Sequence, residues 1–261
     1  MGFLTDLVDD LRRRRERDPL DESSLMRRAM QLPPPRPFEE ALRGATPPAV
    51  IAEFKRSSPS AGEIAEPDLS TQVRKYRAGG AVAISVLTEP TRFDGSLTDV
   101  RAARLAAPLP VLRKDFLVHP AQVIESRATG ADAVLLISAA LTELELKGML
   151  AVADDLGLDA LVEAHSEEDL AKVLTTDAGV VGVNARDLET LELDLERALA
   201  LVPLVPRDRV AVLESGVSTR EHVERALDAG ASAVLVGETL MRAPDAEATI
   251  RELRGDRDGP R

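Results

Sequence analysis

Residues 210–238 read VAVLESGVSTREHVERALDAGASAVLVGE, and the reading of this stretch decides the fold. It opens with a continuous apolar run, passes through Glu214, Ser215 and Gly216, and goes on with helical periodicity to Gly230. A second apolar run, AVLVGE, follows at once. Strand, helix and strand, with strands apolar along their whole length, specify a parallel βαβ unit whose sheet is covered rather than half in water.

The same unit recurs back along the chain. AVIAEF, AVAISVL, PVLRKDF, AVLLIS, DALVEAH and VVGVNAR precede VAVLES and AVLVGE, which makes eight short apolar runs from residue 48 onward. Helical stretches such as LSTQVRKYRAGG and AQVIESRATGA lie between them. Glycines at 80, 130, 179 and 230 close helices at steps near 50 residues, two βα units each, where a left-handed residue is expected. An open doubly wound sheet would show GxGxxG after its first strand, and none is present. The prediction is an α/β chain folded as a closed (β/α)8 TIM barrel over residues 48–253.

Residues 1–47 differ. Phe3, Leu4, Leu7, Val8 and Leu11 fall at helical spacing and predict an amphipathic helix over 2–17, which LPPPRPF at 32–38 keeps from running on. This is an N-terminal helical extension packed on the barrel, and residues 254–261 read as a frayed tail. RRRRER at 12–17 is flanked by acidic residues and reads as a solvated helix end, its cations near the negative end of the helix dipole, rather than a nucleic-acid patch.

Composition narrows the function. A net charge of −12 argues against nucleic acid and anionic membranes as partners, and means that an anionic substrate needs local traps. With no cysteine there is no disulfide or thiolate metal site, and His119, His165 and His222 lack ligand spacing and read as surface or loop residues. No metal and no cofactor are expected. No apolar run approaches the ~18 residues of a membrane span, and the N-terminus lacks a signal-peptide core, so a cytoplasmic enzyme is expected.

Charges gather where the strands end. Glu53 and Lys55 close the first strand, Lys114 and Asp115 the third, Glu163 the fifth, Asn184 and Arg186 the sixth, Glu214 and Ser215 the seventh. The strand-starting ends carry mostly Ala, Pro and Val. In a barrel the strand-ending face is the functional one. Glu53 and Lys55, two apart, share a face. They could be a structural ion pair, but burying one costs more than it returns unless its geometry is good, which favours a functional reading. Lys114 and Asp115 point oppositely; Lys114 is the inward candidate and Asp115 an anchor. Glu163, a lone carboxylate in an apolar run, suits a general acid or base. ESGVST and VGETLM, after the last two strands, offer glycine backbone to an anion, which predicts a phosphorylated small-molecule substrate.

From residue 48 to 243 the chain resembles the indole-3-glycerol phosphate synthase family. The resemblance rests on IAEFKRSSPSAG, FDGSL at 93–97, VLRKDF, GADAVLLI, LVEAH, GVNARDL, LESGV and LVGETLM in family order. It implies a carboxy-lyase of tryptophan biosynthesis that closes a carboxyphenylamino-deoxyribulose 5-phosphate into an indole with loss of carbon dioxide and water. It also implies Lys114 as general acid, Glu163 as general base or proton shuttle, and Glu53 positioning Lys55. Whether Lys55 faces the substrate carboxylate or its phosphate stays open. Asn184 and Arg186 would orient the substrate, Glu214 and Ser215 line the pocket, and Gly216, Gly237 and the Glu238 backbone bind phosphate. Ser58 and Pro59 would close over the substrate, Phe116 and Leu188 press on its ring, and Leu135 and Leu213 floor the pocket. Ala185 stands where the family usually has asparagine, removing a polar contact near the site, and His119 where aspartate is frequent. Phosphoribosylanthranilate isomerase, the nearest rival barrel, is expected to need a cysteine. A pure binder needs no desolvated acid–base pair. Docking by another tryptophan-pathway enzyme is not decided by these residues.

Overall fold

The computed structural model describes residues 2–59, 62–64 and 67–256. Its parallel strands are β1 (Ala49–Phe54), β2 (Ala83–Leu87), β3 (Val111–Lys114), β4 (Ala133–Ile137), β5 (Asp159–Ala164), β6 (Val180–Asn184), β7 (Val210–Glu214) and β8 (Ala233–Val236). Each pairs with the next in sequence, and β8 returns to β1 with Ala49 opposite Ala233 and Ala52 opposite Val236, so the sheet is a closed barrel. Every residue of β1, β4, β6 and β7 is buried. One set of side chains fills the barrel and the alternate set packs beneath the helices, which is why the runs are apolar without alternation.

Three helices form the N-terminal segment: α1 (Phe3–Arg17), α2 (Glu22–Met30) and α3 (Phe38–Arg43). Around the barrel follow α4 (Leu69–Ala78), α5 (Leu97–Ala106), α6 (Pro120–Thr129), α7 (Glu143–Asp155), α8 (Glu167–Leu174), α9 (Leu195–Leu201) and α10 (Arg220–Ala229). The short α11 (Glu238–Arg242) comes after β8, and α12 (Ala246–Arg254) completes the ring. His119 caps α6: its Nδ1 accepts from the Ala121 N–H, the Gln122 side chain accepts from the His119 N–H, and Pro120 follows. Gly130 and Gly230 end α6 and α10 with φ of 95° and 106°, the left-handed closure expected of them. Gly179 is not left-handed. Glycine is needed there for a different reason, because a Cβ would collide with the carboxylate of Glu39.

The extension is fastened at both ends of the barrel. Leu25 and Ala29 of α2 pack on Ile124 and Ala128 of α6. At the strand-starting face, fully buried Asp132 accepts from the backbone N–H of Arg36 (2.6 Å) and of Val111 (2.9 Å) and pairs with Arg104. Asp159 accepts from Glu39 N–H at 2.9 Å. That face is therefore not merely Ala, Pro and Val; its acids anchor the incoming chain. At the other face, the N–H groups of Phe3 and Leu4 donate to the carbonyls of Glu189 and Leu188, which seats α1 beside the barrel mouth. Helix α12 runs to Arg254 and is capped by left-handed Gly255, so residues 254–256 are a closed helix end rather than a frayed one. Residues 257–261 lie outside the described residues.

Candidate active site

The strand ends converge on a cavity of about 380 Å³. Glu53, Lys114, Glu163, Asn184 and Glu214 reach it from β1, β3, β5, β6 and β7, with Lys55 one residue past β1. Strand alternation places all of them on the barrel's inner side. Lys114 Nζ donates to Glu214 Oε2 at 2.9 Å and to Glu163 Oε2 at 3.1 Å, and both carboxylates are 1% exposed. Lys55 Nζ lies 2.8 Å from Glu53 Oε1. The Tyr76 hydroxyl donates to the Glu53 carbonyl at 3.1 Å from behind the strand.

Two glycines make room for this cluster. A Cβ on Gly182 would collide with Glu214 Oε1, and one on Gly237 with Glu53 Oε1. Gly237, read from the sequence as a phosphate contact, clears space for the Glu53 carboxylate.

Burial sets the electrostatics. Desolvation opposes the charge on Lys114, but Glu163, Glu214 and Glu53 outweigh it and hold the ammonium above the ordinary lysine value. Burial likewise opposes ionisation of Glu163, yet Lys114, His165 and Asn184 more than compensate, so its carboxyl is held well below the usual range. Glu214 goes the other way: burial, with Glu163 beside it, pushes it up to about 8 despite Lys114. The two carboxylates share one ammonium and titrate as a pair, with Glu214 the member pushed up.

His165 lies in the turn after β5, as a loop residue would, but not at the surface. It is buried, with Nε2 3.0 Å from Glu163 Oε1. His119 is the α6 cap already described, and His222 lies in the first turn of α10. Asp115 is the anchor expected of it: Oδ2 accepts from the Thr88 hydroxyl (2.6 Å) and Arg113 Nη2 (2.9 Å), and Oδ1 from Phe116 N–H (2.8 Å).

One side of the cavity is aromatic and aliphatic. Phe116, Leu135 and Leu188 line it, joined by Phe3 of α1 and Phe93. The Phe3 and Phe116 rings meet edge to face at 6.3 Å, and Phe93 lies 6.1 Å from Phe116. Leu213 does not line the cavity; it neighbours inward-pointing Glu214 on β7 and so faces the helices, while Leu235 of β8 lines the floor. Ala185 is likewise fully buried on the far side of its strand from Asn184, away from the cavity, so its departure from the family pattern concerns packing rather than a polar contact in the site.

On the other side, Ser215 and Gly216 adopt successive left-handed conformations (φ 64° and 74°), and Gly237 precedes α11 with Glu238 as its first residue. Ser58, Pro59 and Arg186 complete the rim, Arg186 held by Leu191 O (2.9 Å) and by its N–H on Asn184 Oδ1 (2.9 Å). Arg242 also lines this end, four residues on from its ion-pair partner Glu238. Nothing in the spacing around Arg242 marks it as a cation that reaches the cavity. Among the described residues no group of three or more His, Asp and Glu side chains is placed to hold a metal ion, and no helix is long and apolar enough to cross a membrane.

A closed barrel whose mouth joins a desolvated lysine, flanking carboxylates, an aryl-sized apolar wall and glycine loops defines an acid–base enzyme for a small anionic molecule. A family model described as indole-3-glycerol phosphate synthase matches residues 4–253. The indole-3-glycerol phosphate synthase of Micrococcus luteus is 46% identical, with 97% of each chain covered. That of Kineococcus radiotolerans is 51% identical over 78% of this chain and 75% of its own. The chain belongs to the indole-3-glycerol phosphate synthase family, carboxy-lyases of tryptophan biosynthesis. Among solved structures it resembles a 3-hexulose-6-phosphate synthase (TM-score 0.63, 16% identity, covering 79% of this chain and 98% of that one). It also resembles a chain of the tryptophan synthase complex of Pyrococcus furiosus (TM-score 0.57, 19% identity, 80% and 98% covered). At such identities the likeness is of the barrel alone.

Proposed function

We infer that this cavity carries out the family's reaction with Lys114 as its general acid and Glu163 as its general base. The reaction closes 1-(2-carboxyphenylamino)-1-deoxy-D-ribulose 5-phosphate to indole-3-glycerol phosphate, carbon dioxide and water. The observation that carries the assignment is the Lys114 ammonium, held 2.9 and 3.1 Å from two buried carboxylates inside one cavity. As the aryl carbon attacks the ribulose carbonyl, Lys114 gives its oxygen a proton. Loss of carbon dioxide then restores the aromatic ring. Glu163 takes a proton from the neighbouring ring carbon bonded to nitrogen and passes it to the departing hydroxyl, which leaves as water as the ring double bond forms. Such a contribution is typically ~10²–10⁴-fold.

The remaining roles follow position. Glu53 orients Lys55 toward an anionic group of the substrate, and Asn184 and Arg186 orient the substrate and the carboxylates. Glu214 keeps the pair's proton. Phe116, Leu188 and Leu135 grip the aryl ring. Ser215, Gly216, Gly237 and Glu238 offer backbone N–H groups to the phosphate, and Ser58 and Pro59 cover it. The net charge of −12 supports a phosphorylated small molecule over nucleic acid or an anionic membrane as partner, and with the lack of cysteine it suits a cytoplasmic setting.

The test is to supply the purified protein with this substrate and follow indole fluorescence, beside Lys114→Ala. A signal that collapses in the variant supports both reaction and acid; substrate bound but never turned over would overturn the assignment.

A further inference from the structure

Glu163 has a second neighbour besides Lys114. His165 follows it by two residues, just past the end of β5 at the turn into α8. The ring is buried, and its Nε2 lies 3.0 Å from Oε1 of Glu163, while Lys114 takes Oε2. Asp169, in the first turn of α8, stands behind it. Its Oδ2 accepts the His165 backbone N–H at 3.2 Å and lies 3.8 Å from Nδ1, and the Asp169 N–H donates in turn to the capping hydroxyl of Ser166 at 3.1 Å. Neither ring nitrogen makes an aligned hydrogen bond, so the imidazole is not simply a core histidine with its partners satisfied. The ionisable groups acting on it are Glu163 from β5, Asp169 from α8 and Glu214 from β7, all acidic; the nearest cation of the cluster, Lys114, lies beyond Glu163.

We propose that His165 is a positioning residue for the reaction, holding Glu163 ionised and aimed into the cavity from the side opposite Lys114, with Asp169 steadying the imidazole. The proposal rests on the reading of Glu163 as the general base. A carboxylate with the Lys114 ammonium on one oxygen and the His165 ring 3.0 Å from the other is kept from swinging toward Glu214, so the base stays free to act. Burial disfavours a charged His165, but the three acids outweigh it and raise its proton affinity, which agrees with this role.

Two measurements test it. In His165→Gln the acid limb of the kcat–pH profile moves about one unit toward neutrality, so kcat falls about 10-fold at a pH on that limb while KM stays nearly unchanged. A role in packing alone would leave that limb in place. Independently, the chain has three histidines, and the imidazole resonance lost in His165→Gln identifies that of residue 165. In the wild type it should titrate above the ordinary histidine value, and in Glu163→Gln it should titrate lower. An unmoved acid limb, or identical titration in wild type and Glu163→Gln, overturns the proposal. If His165→Gln fails to fold, the resonance is assigned from selectively labelled wild type and the titration comparison decides. Should Glu163→Gln turn over at the wild-type rate, the reading of Glu163 as base falls and the proposal with it. An inactive Glu163→Gln beside an unshifted His165→Gln profile removes the His165 assignment alone.

Discussion

Gly237 faces the carboxylate of Glu53 across the seam where β8 closes on β1, and a Cβ there would collide with Glu53 Oε1 and stand 3.1 Å from Lys55 Nζ. The Glu53–Lys55 pair can therefore keep its 2.8 Å geometry only opposite a residue without a side chain. Gly237→Ala is expected to fold, since α11 begins at the next residue and the backbone at 237 has a negative φ. Its kcat/KM should fall about 100-fold, the scale of loss when a catalytic group is misplaced by about 1 Å. Steady-state kinetics beside a circular dichroism melt would separate this from unfolding.

Lys114 sets its ammonium between two buried acids, so removing its charge should cost stability as well as rate. Lys114→Met keeps most of the volume and leaves Glu163 and Glu214 facing each other without a cation. The folded pKa of Glu163 is depressed, so the stability it contributes is present above its unfolded value near 4.5 and is lost as pH falls below that. The variant should accordingly be less stable than wild type at pH 7, by about 3–5 kcal/mol as for other broken buried pairs, and the gap should narrow as pH drops below about 4.5. Denaturant melts at several pH values would show whether it does.

Glu214 carries the opposite sign. Its folded pKa is raised to about 8, so between about 4.5 and 8 the native state binds a proton that the unfolded chain has released. Stability must fall as pH rises through that window, and the penalty is complete above it. Glu214→Gln removes the penalty while keeping an amide beside Lys114. Relative to wild type it should melt higher at pH 8.5 and equally near pH 4.5, and its turnover should be lower because Lys114 and Glu163 lose their proton-holding partner. A melting difference independent of pH would count against the raised value.

These residues also show what a sequence can disclose. Glu53, Lys114, Glu163 and Glu214 are legible because each puts a charge at the end of a short, largely apolar run, and a parallel barrel gives such a charge one meaning. His165 is not, because the two-residue period loses its force where β5 turns into α8, and whether a ring there turns inward depends on the capping of that helix by Ser166 and Asp169. Asp132 escaped notice because it sits one residue before its strand, where GADAVLLI reads as a turn. Phe3 reads from the sequence as a helix-face residue. Nothing in its spacing distinguishes an apolar side chain that packs in a core from one that walls a cavity, and only the bonds from residues 3 and 4 to the carbonyls of Glu189 and Leu188 bring it there.

That placement makes Phe3 testable. Its ring meets Phe116 edge to face at the cavity wall, with the Arg92 guanidinium 5.4 Å from its centroid. An aromatic pair of this kind contributes ~0.5–1.5 kcal/mol beyond its buried area. Phe3→Ala should raise KM for the aryl substrate by roughly 2–10-fold with kcat less affected, the conversion of that energy into binding. Equal losses in kcat and kcat/KM would instead place Phe3 in the transition state.

Leu213 and Leu235 separate packing from binding on neighbouring strands. A one-residue step along a strand moves a side chain from one face of the sheet to the other, and Leu213, beside Glu214, lies on the helix side although the family resemblance set it in the pocket floor. It is fully buried, so Leu213→Ala should destabilise the barrel by about 2–5 kcal/mol and leave KM near wild type where the protein is folded. Leu235 lines the cavity. Leu235→Ala should raise KM, because the floor beneath the substrate is lost. Melting curves and Michaelis constants for both variants test the register directly: a raised KM in Leu213→Ala with Leu235→Ala unchanged would mean that β7 and β8 present the opposite faces to the substrate.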